Sequence, residues 1–169
     1  MEQTSSTANA TFPRLISGIG GFDETTGGGL PLNRITLVIG GPGTGKTVFS
    51  LQVLANGARD RNMPGIFVAF EENSRQLVAN ASSFGWGLDT LEQENKLFFI
   101  DAHLTADVIH NGNFDLAGML ASIDAKAKEI GAGLIVFDSL DLLLSILNDH
   151  IAERRECYRL RDWLLRSGL

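Results

Sequence analysis

The sequence predicts a three-layer α/β fold around a mostly parallel β-sheet. Short, almost wholly apolar segments alternate with amphipathic helical segments, glycine-rich turns separate them, and 44% of the 169 residues are hydrophobic. Strands that alternate with helices indicate βαβ units, in which the strands run parallel and the helices cover both faces of the sheet. The length and the apolar content are sufficient for one domain with its own core.

The first 32 residues divide into a tail and an arm. Residues 1–11 are small and polar, which is typical of a disordered tail. Residues 12–32 are rich in glycine but carry scattered apolar side chains, among them Leu15, Phe22 and Leu30. They predict an ordered, mostly irregular arm with a short helical turn at 21–25. The apolar side chains of this arm either cover the domain's own sheet or contact a neighbouring subunit.

The rest of the chain is organised around residues 35–50, ITLVIGGPGTGKTVFS. They predict a buried strand at 35–39, a glycine-rich turn, and a helix that begins near Lys46 and extends to about residue 59. Residues 40–47 fit the phosphate-loop pattern G-x-x-x-x-G-K-[ST]. In this pattern the glycines let backbone N–H groups point at an anion, and the positive N-terminal end of the helix attracts the same anion. In this pattern Lys46 reaches the β- and γ-phosphates of a nucleotide, and the Thr47 hydroxyl ligates Mg²⁺.

Two more strands are predicted at 65–70 and 97–100. The first, GIFVAF, is apolar throughout, as a parallel strand covered on both faces requires, and it ends in Glu71 and Glu72. The connection contains a helix at about 75–84, with Ser74 as its N-cap, and one helical turn at 89–93. The polar residues 102–113 predict a loop.

The last third predicts a helix at 114–130 that ends at Gly131, and a fourth strand at 133–137 that leads into Asp138. The apolar residues 139–147 predict a short helix or a packed loop, and an amphipathic helix follows from about residue 149 to 167. Four strands with an uncovered edge are a poor end point for such a sheet. We therefore expect residues 12–169 to be the N-terminal two-thirds of one domain, truncated at its C-terminal side.

Charge and composition narrow the class of protein. The formal net charge of −6 argues against a large nucleic-acid-binding surface. The single cysteine, Cys157, cannot form an intrachain disulfide, and the three histidines lack metal-ligand spacing. We find no signal peptide and no apolar run of membrane length. We therefore predict a cytoplasmic protein that does not bind membranes.

Acidic residues at the strand ends supply two further parts of a nucleotide site, because ligands bind at the carboxyl edge of such sheets. Asp138 is expected to hold Mg²⁺ through water while Thr47 ligates it directly; the alternative is that Asp138 caps the next helix. Glu71 or Glu72 is a candidate to polarise the attacking water, and at most one of them should face the nucleotide directly. The alternative is a solvated acidic pair at a helix N-terminus.

The ordered motifs resemble a domain of the KaiC family of clock ATPases, which are RecA-type phosphate-loop ATPases. The residues that carry the resemblance are GFDETTGGGLP, GGPGTGKTVFSLQ, FVAFEEN, SSFGW, LFFIDA and IVFDSL, and it covers nearly the whole chain from residue 12 onward. It implies that Glu71, with Glu72 beside it, is catalytic together with Lys46, and that Asp138 is the strand-end aspartate. The nucleotide-binding residues predicted from the motif and the resemblance are Gly41, Pro42, Gly43, Thr44, Gly45, Lys46, Thr47, Val48 and Ser83.

The resemblance also implies ATP and Mg²⁺ as cofactors, hexameric rings with the nucleotide at subunit interfaces, and clock or signalling proteins as partners. It leaves open whether such a ring only hydrolyses ATP or also phosphorylates itself on Ser or Thr. The basic fingers that reach in from the next subunit lie beyond residue 169 in the family pattern.

Two other functions remain open from the sequence. A RecA-like DNA recombination or repair ATPase would share the core, but residues 139–148 contain no Lys or Arg for a DNA-binding loop. A nucleotide-sensing scaffold would bind ATP and assemble without hydrolysis, although Glu71 counts against it.

Overall fold

The structure is a computed structural model that describes residues 12–102, 115–145 and 150–169. The predicted tail at 1–11 lies outside the described residues, and so does most of the predicted loop at 102–113.

The amino-terminal arm packs on the first long helix. Its elements are strand β1 (Arg14–Leu15), helix α1 (Phe22–Thr25) and strand β2 (Leu30–Pro31), with β1 and β2 antiparallel. Asn56, in helix α2 (Lys46–Asp60), donates from Nδ2 to the carbonyl oxygen of Ser17 at 2.9 Å. The Phe22 ring meets the Phe49 ring edge-on, with centroids 5.0 Å apart. The arm therefore covers its own domain, through a helix rather than through the sheet.

Side-chain acceptors hold the arm in a closed loop. Asp23 Oδ1 accepts from the Ser17 backbone N–H and hydroxyl at 2.9 and 2.8 Å, and Oδ2 accepts from the Gly18 N–H at 2.9 Å. Gly29 has a φ of +98°, and a Cβ there would overlap the carbonyl oxygen of Leu15. A glycine at this position is therefore required for β1 and β2 to meet.

A parallel sheet forms the centre of the described domain. Its strands are β3 (Gly65–Ala69), β4 (Leu97–Asp101) and β5 (Leu134–Asp138), in the spatial order β4-β3-β5. In the central strand, Gly65 lies opposite both Leu97 and Leu134. All five residues of β3 are buried, as predicted for a strand covered on both faces.

The remaining helices cover the two faces of the sheet. They are α3 (Ser74–Ala81), extended by a 3₁₀ turn (Ser82–Phe84), α4 (Leu88–Gln93), α5 (Leu116–Ile130), α6 (Leu140–Ser145) and α7 (His150–Ser167). Phe67 packs with α2, α3 and α4 on one face, whereas Ile66 and Val68 pack with α5 and α7 on the other. This alternation produces the predicted three layers.

Two local predictions were wrong. Residues 35–39 do not form a buried strand: no strand among the described residues pairs with them, and Leu37 is 66% and Ile39 85% exposed. An apolar run forms a strand only where a neighbour accepts and donates its backbone hydrogen bonds. The N-cap of α3 is Asn73, whose side chain accepts from the Gln76 N–H, and not Ser74.

The other elements agree with the predicted ones to within a few residues. The helix after the glycine-rich turn extends to Asp60, and Gly131 ends α5 in the left-handed conformation with a φ of +65°. Residues 139–147 contain a short helix, α6, rather than only a packed loop. None of the helices in the described ranges is both long enough and apolar enough to cross a membrane.

Candidate functional site

The phosphate loop makes a tight turn directly before α2. Gly43 and Gly45 have φ values of +74° and +89°, in the left-handed region that favours glycine, and Gly45 is the N-cap of α2. The Thr44 hydroxyl donates to the carbonyl oxygen of Gly41 at 2.9 Å. No side chain caps the helix, so its first N–H groups remain available to an anion.

The Lys46 ammonium lies over this turn. Its Nζ donates to the carbonyl oxygens of Gly40 and Gly41, at 2.8 and 3.1 Å. An ammonium carries three donors, so these two bonds orient it and leave a third donor for a ligand. The predicted loop residues are exposed from Gly41 to Gly45, as is Val48, whereas Lys46 and Thr47 are half-buried.

The phosphate loop and the end of β5 meet in one hydrogen bond. Thr47 Oγ1, in the first turn of α2, donates to Asp138 Oδ2 at 2.6 Å, across 91 positions of sequence. Asp138 is the last residue of β5, and a cis peptide bond joins it to Ser139. The structure thus brings together the two residues predicted to bind the metal ion.

The donor chemistry of this pair fits Mg²⁺. A hydroxyl and a carboxylate are hard oxygen ligands, and Mg²⁺ in nucleotide sites keeps several waters and takes few ligands from the protein. Within the ranges that the structure describes, no cluster of three or more His, Cys, Asp or Glu forms a separate metal site. A metal held jointly by protein and phosphates is therefore the arrangement that these residues suit.

The two glutamates at the end of β3 point in different directions. Glu71 Oε1 accepts from the hydroxyl of Ser139 at 2.5 Å, toward the end of β5. Glu72 Oε2 accepts from Asn80 Nδ2 at 3.4 Å, toward α3. This split agrees with the expectation that the pair does not face one ligand together.

Both glutamates nevertheless border one small polar cleft at the carboxyl edge of the sheet. Its lining residues are Thr47, Phe67, Ala69, Glu71, Glu72, Leu77 and Asp138. A larger apolar hollow, lined by residues such as Arg34, Ile35 and Leu165, contains none of the predicted site residues. We therefore place the candidate site in the polar cleft, where hydroxyl, carboxylates and phosphate loop converge.

Comparison with known proteins identifies the family of the chain. The family model described as "ATPase: KaiC" matches residues 15–169. The chain belongs to the KaiC ATPase family. As a KaiC-family chain it contains an ATPase domain on an α/β fold with a parallel sheet.

Individual relatives support the same assignment. The chain is 40% identical, over 92% of its length, to the circadian clock oscillator protein KaiC of Parasynechococcus marenigrum, and 43% identical over the same share to that of Prochlorococcus marinus. It is 37% identical, over 90% of its length, to the circadian clock protein KaiC2 of a Synechocystis species. It covers 31% of each of the first two relatives and 27% of the third, so it spans about a third of their length.

One predicted nucleotide contact of this KaiC-family chain lies apart from the cleft. Ser83 is exposed on the 3₁₀ turn after α3 and is not among the residues that line the cleft. Beside it, the rings of Phe84 and Trp86 stack with centroids 4.6 Å apart and an interplanar angle of 18°. Ser83 therefore lies outside the lining of the cleft, next to an aromatic pair.

Sequence reasoning did not single out two residues that lie beside the candidate site. Ser139 is buried and bonds Glu71, and Asp141 follows in the first turn of α6. The Ser139 hydroxyl, backbone N–H groups at the start of α6 and the positive charge of Lys46 hold the pKa of Asp141 below its usual value, against the effect of burial. The sequence signal that could have identified both residues is their position, since they closely follow the strand-end aspartate Asp138.

Proposed function

We propose that residues 12–169, which follow the tail at 1–11, belong to an ATPase domain that binds ATP with Mg²⁺ and hydrolyses it. The observation that carries this proposal is the 2.6 Å hydrogen bond between Thr47 and Asp138, which joins the phosphate loop to the strand-end carboxylate. Phosphate-loop ATPases need these two groups together, because both bind the same metal ion. Membership of the KaiC family supports the same function.

The phosphate loop would bind the triphosphate of ATP. Its backbone N–H groups and the open N-terminus of α2 would face the anion, and Lys46 would add its positive charge for the β- and γ-phosphates. The proposed nucleotide-binding residues are Gly41, Pro42, Gly43, Thr44, Gly45, Lys46, Thr47, Val48 and Ser83. Ser83, being apart from the cleft, would contact a part of the nucleotide other than the γ-phosphate.

Thr47 and Asp138 would hold Mg²⁺, Thr47 directly and Asp138 through water. When bound, Mg²⁺ neutralises charge on the phosphate oxygens. Glu71 would accept the proton of the attacking water, because its carboxylate lies in the same cleft. Glu72 would support Glu71 from the neighbouring position in the sequence.

The names of the relatives suggest the setting. All three are circadian clock proteins, and on that basis we propose that the full-length protein is cytoplasmic, assembles into hexameric rings with ATP at the subunit interfaces, and works with clock or signalling proteins. Autophosphorylation on Ser or Thr is the second activity that such a ring would have. The described residues offer no observation that favours a DNA-dependent ATPase instead.

The test uses γ-labelled ATP on the natural full-length protein, together with the variants Lys46→Ala and Glu71→Gln. We expect Lys46→Ala to lower ATP affinity roughly 100-fold, because it removes a charged donor to the phosphates. Lys128→Ala is the matched control, since Lys128 is an exposed lysine paired with Asp124. Free labelled phosphate that disappears in Glu71→Gln would support hydrolysis.

Three other results would change the proposal. Label on the protein would add autokinase activity. ATP-dependent assembly without any phosphate release would replace hydrolysis by nucleotide sensing. Unchanged ATP affinity in Lys46→Ala would overturn the whole assignment of the site.

A further inference from the structure

The ends of β3 and β5 lie side by side, which brings a residue that follows one strand into contact with a residue that follows the other. Ala69 and Asp138 are partners in the register of the two strands. Ser139 directly follows Asp138, and Glu71 comes two residues after Ala69. The Ser139 hydroxyl donates to Glu71 Oε1 at 2.5 Å across 68 positions of sequence. The contact is thus fixed by strand pairing and not by local turns.

The donor in this contact is buried while the acceptor is exposed. Ser139 is only 8% exposed, whereas Glu71 lies on the surface at the border of the polar cleft. A glutamate at a strand end ordinarily moves among several rotamers, and holding it in one of them costs conformational entropy. A hydrogen bond from a hydroxyl that packing already holds in place offsets this cost for Glu71.

Glu72 receives no comparable support. Its contact with Asn80 is longer, at 3.4 Å, and both side chains are exposed. The difference between the two glutamates is therefore visible in the structure, although they are adjacent and chemically identical in the sequence.

The chemistry of a hydroxyl defines what this bond does to Glu71. Serine has one O–H proton, so it donates to one carboxylate oxygen at a time, and a bond to a charged acceptor is stronger than one between neutral groups. With Oε1 engaged by Ser139, the second oxygen of Glu71 remains as the acceptor for a water in the cleft. Asp141 also lies near Ser139, but the Ser139 hydroxyl can donate to it only by giving up its bond to Glu71.

We infer that Ser139 is a positioning residue that acts through Glu71: its buried hydroxyl selects Glu71 over Glu72 and turns one oxygen of Glu71 toward the attacking water. This inference rests on the proposed ATP hydrolysis. Ser139 is not among the residues that line the polar cleft, so we expect it to affect kcat rather than ATP binding.

The test is steady-state and single-turnover ATP hydrolysis by the natural full-length protein with Ser139→Ala, Ser139→Thr and Ser139→Cys. We expect Ser139→Ala to lower kcat roughly 10-fold while KM stays within about twofold, because a bond to a charged group is lost only at the base. Ser139→Thr keeps the hydroxyl and should restore most of kcat. Ser139→Cys keeps the size with a weaker donor and should resemble Ser139→Ala.

Two controls separate positioning from a structural role. Ser145→Ala removes the hydroxyl of a nearby serine in α6, which donates to the Leu142 carbonyl oxygen, and should leave kcat unchanged. In a Glu71→Gln background, Ser139→Ala should change the remaining rate by less than about twofold, because two residues that act as a unit are not additive. ATP binding by each variant shows that it is folded.

The outcomes are distinct. A normal kcat in both Ser139→Ala and Ser139→Cys, or the same 10-fold loss in the Glu71→Gln background, would overturn the inference and leave ATP hydrolysis intact. If the unaltered protein shows no Lys46-dependent turnover, the proposed function and the inference fall together. Equal losses in Ser139→Ala and Ser139→Thr would assign Ser139 to packing instead.

Discussion

Two apolar runs of similar composition differ in structure: one is a buried strand and the other is exposed and forms no strand. The run GIFVA becomes the central strand β3, and each of its five residues is buried. The run at 35–39, ITLVI, forms no strand, and most of its apolar side chains are exposed. β3 has a hydrogen-bonded neighbour on both sides, whereas residues 35–39 pair with no described strand. The comparison shows that neighbours, and not hydrophobicity alone, decide which apolar run is buried.

The largest effect that separates the two runs should come from removing one large side chain in each. Phe67 is 0% exposed in β3, so Phe67→Ala should lower the free energy of unfolding by about 3–5 kcal/mol through lost contacts and a cavity. Leu37→Ala, the matched change in the exposed run, should alter it by less than about 0.5 kcal/mol. Denaturant unfolding measures both. A loss of several kcal/mol in Leu37→Ala would show that residues 35–39 are buried in solution after all.

A smaller effect should come from loosening the arm that precedes the exposed run. Asn56 is 5% exposed, and its Nδ2 donates to the Ser17 carbonyl oxygen at 2.9 Å. Asn56→Ala should lower the free energy of unfolding by about 1–3 kcal/mol, because a buried carbonyl loses its partner. Gln76→Ala removes an exposed helix amide bonded to Asn80 and serves as the control.

Hydrogen exchange in Asn56→Ala then sharpens the comparison between the two runs. The amides of Ser17 and Gly18 should exchange faster, whereas those of residues 35–39 should keep the same rapid exchange because they are already unpaired. Slow exchange at 35–39 in the unaltered protein would contradict the structure.

The smallest effect should be a pH dependence of the arm. Although burial opposes it, hydrogen bonds from Ser17 and Gly18 hold the pKa of Asp23 below its usual value. A carboxylate with a lowered folded-state pKa stabilises the fold above its unfolded-state pKa, and this contribution is lost as the pH falls through the folded-state value. Below about pH 4, exchange should therefore accelerate at the arm but not at residues 35–39. Asp23→Asn should remove this dependence; its persistence would assign it to another carboxylate.

The sequence predicted well wherever one pattern controls the structure. The phosphate-loop pattern located the turn before α2, and the strand-end rule placed Asp138 close enough to meet Thr47. Both rest on spacing that is nearly independent of the rest of the chain. The apolar run of β3 was equally predictable, since its burial on both faces leaves no polar positions.

Contacts between distant residues were not predictable in this way. Ser74 has the side chain of a helix cap, but its N–H and hydroxyl donate to Asp101 at 2.7 and 3.0 Å, and Asn73 caps α3 instead. The bond between Ser139 and Glu71 requires β5 to lie beside β3, which depends on the order of strands in the sheet. No local pattern contains that order.

Helix α2 has a consequence for motion that extends beyond the nucleotide cleft. It has 15 residues, which corresponds to roughly 22 Å at the usual rise per residue. Its first turn carries Lys46 and Thr47. Asn56, ten residues after Lys46, donates a hydrogen bond to the arm at Ser17. Because a packed helix moves as a rigid body, any rotation that opens the phosphate loop also displaces the point at which the arm is attached. The arm and the phosphate loop are thus attached to the same helix, and a displacement of either one moves the other.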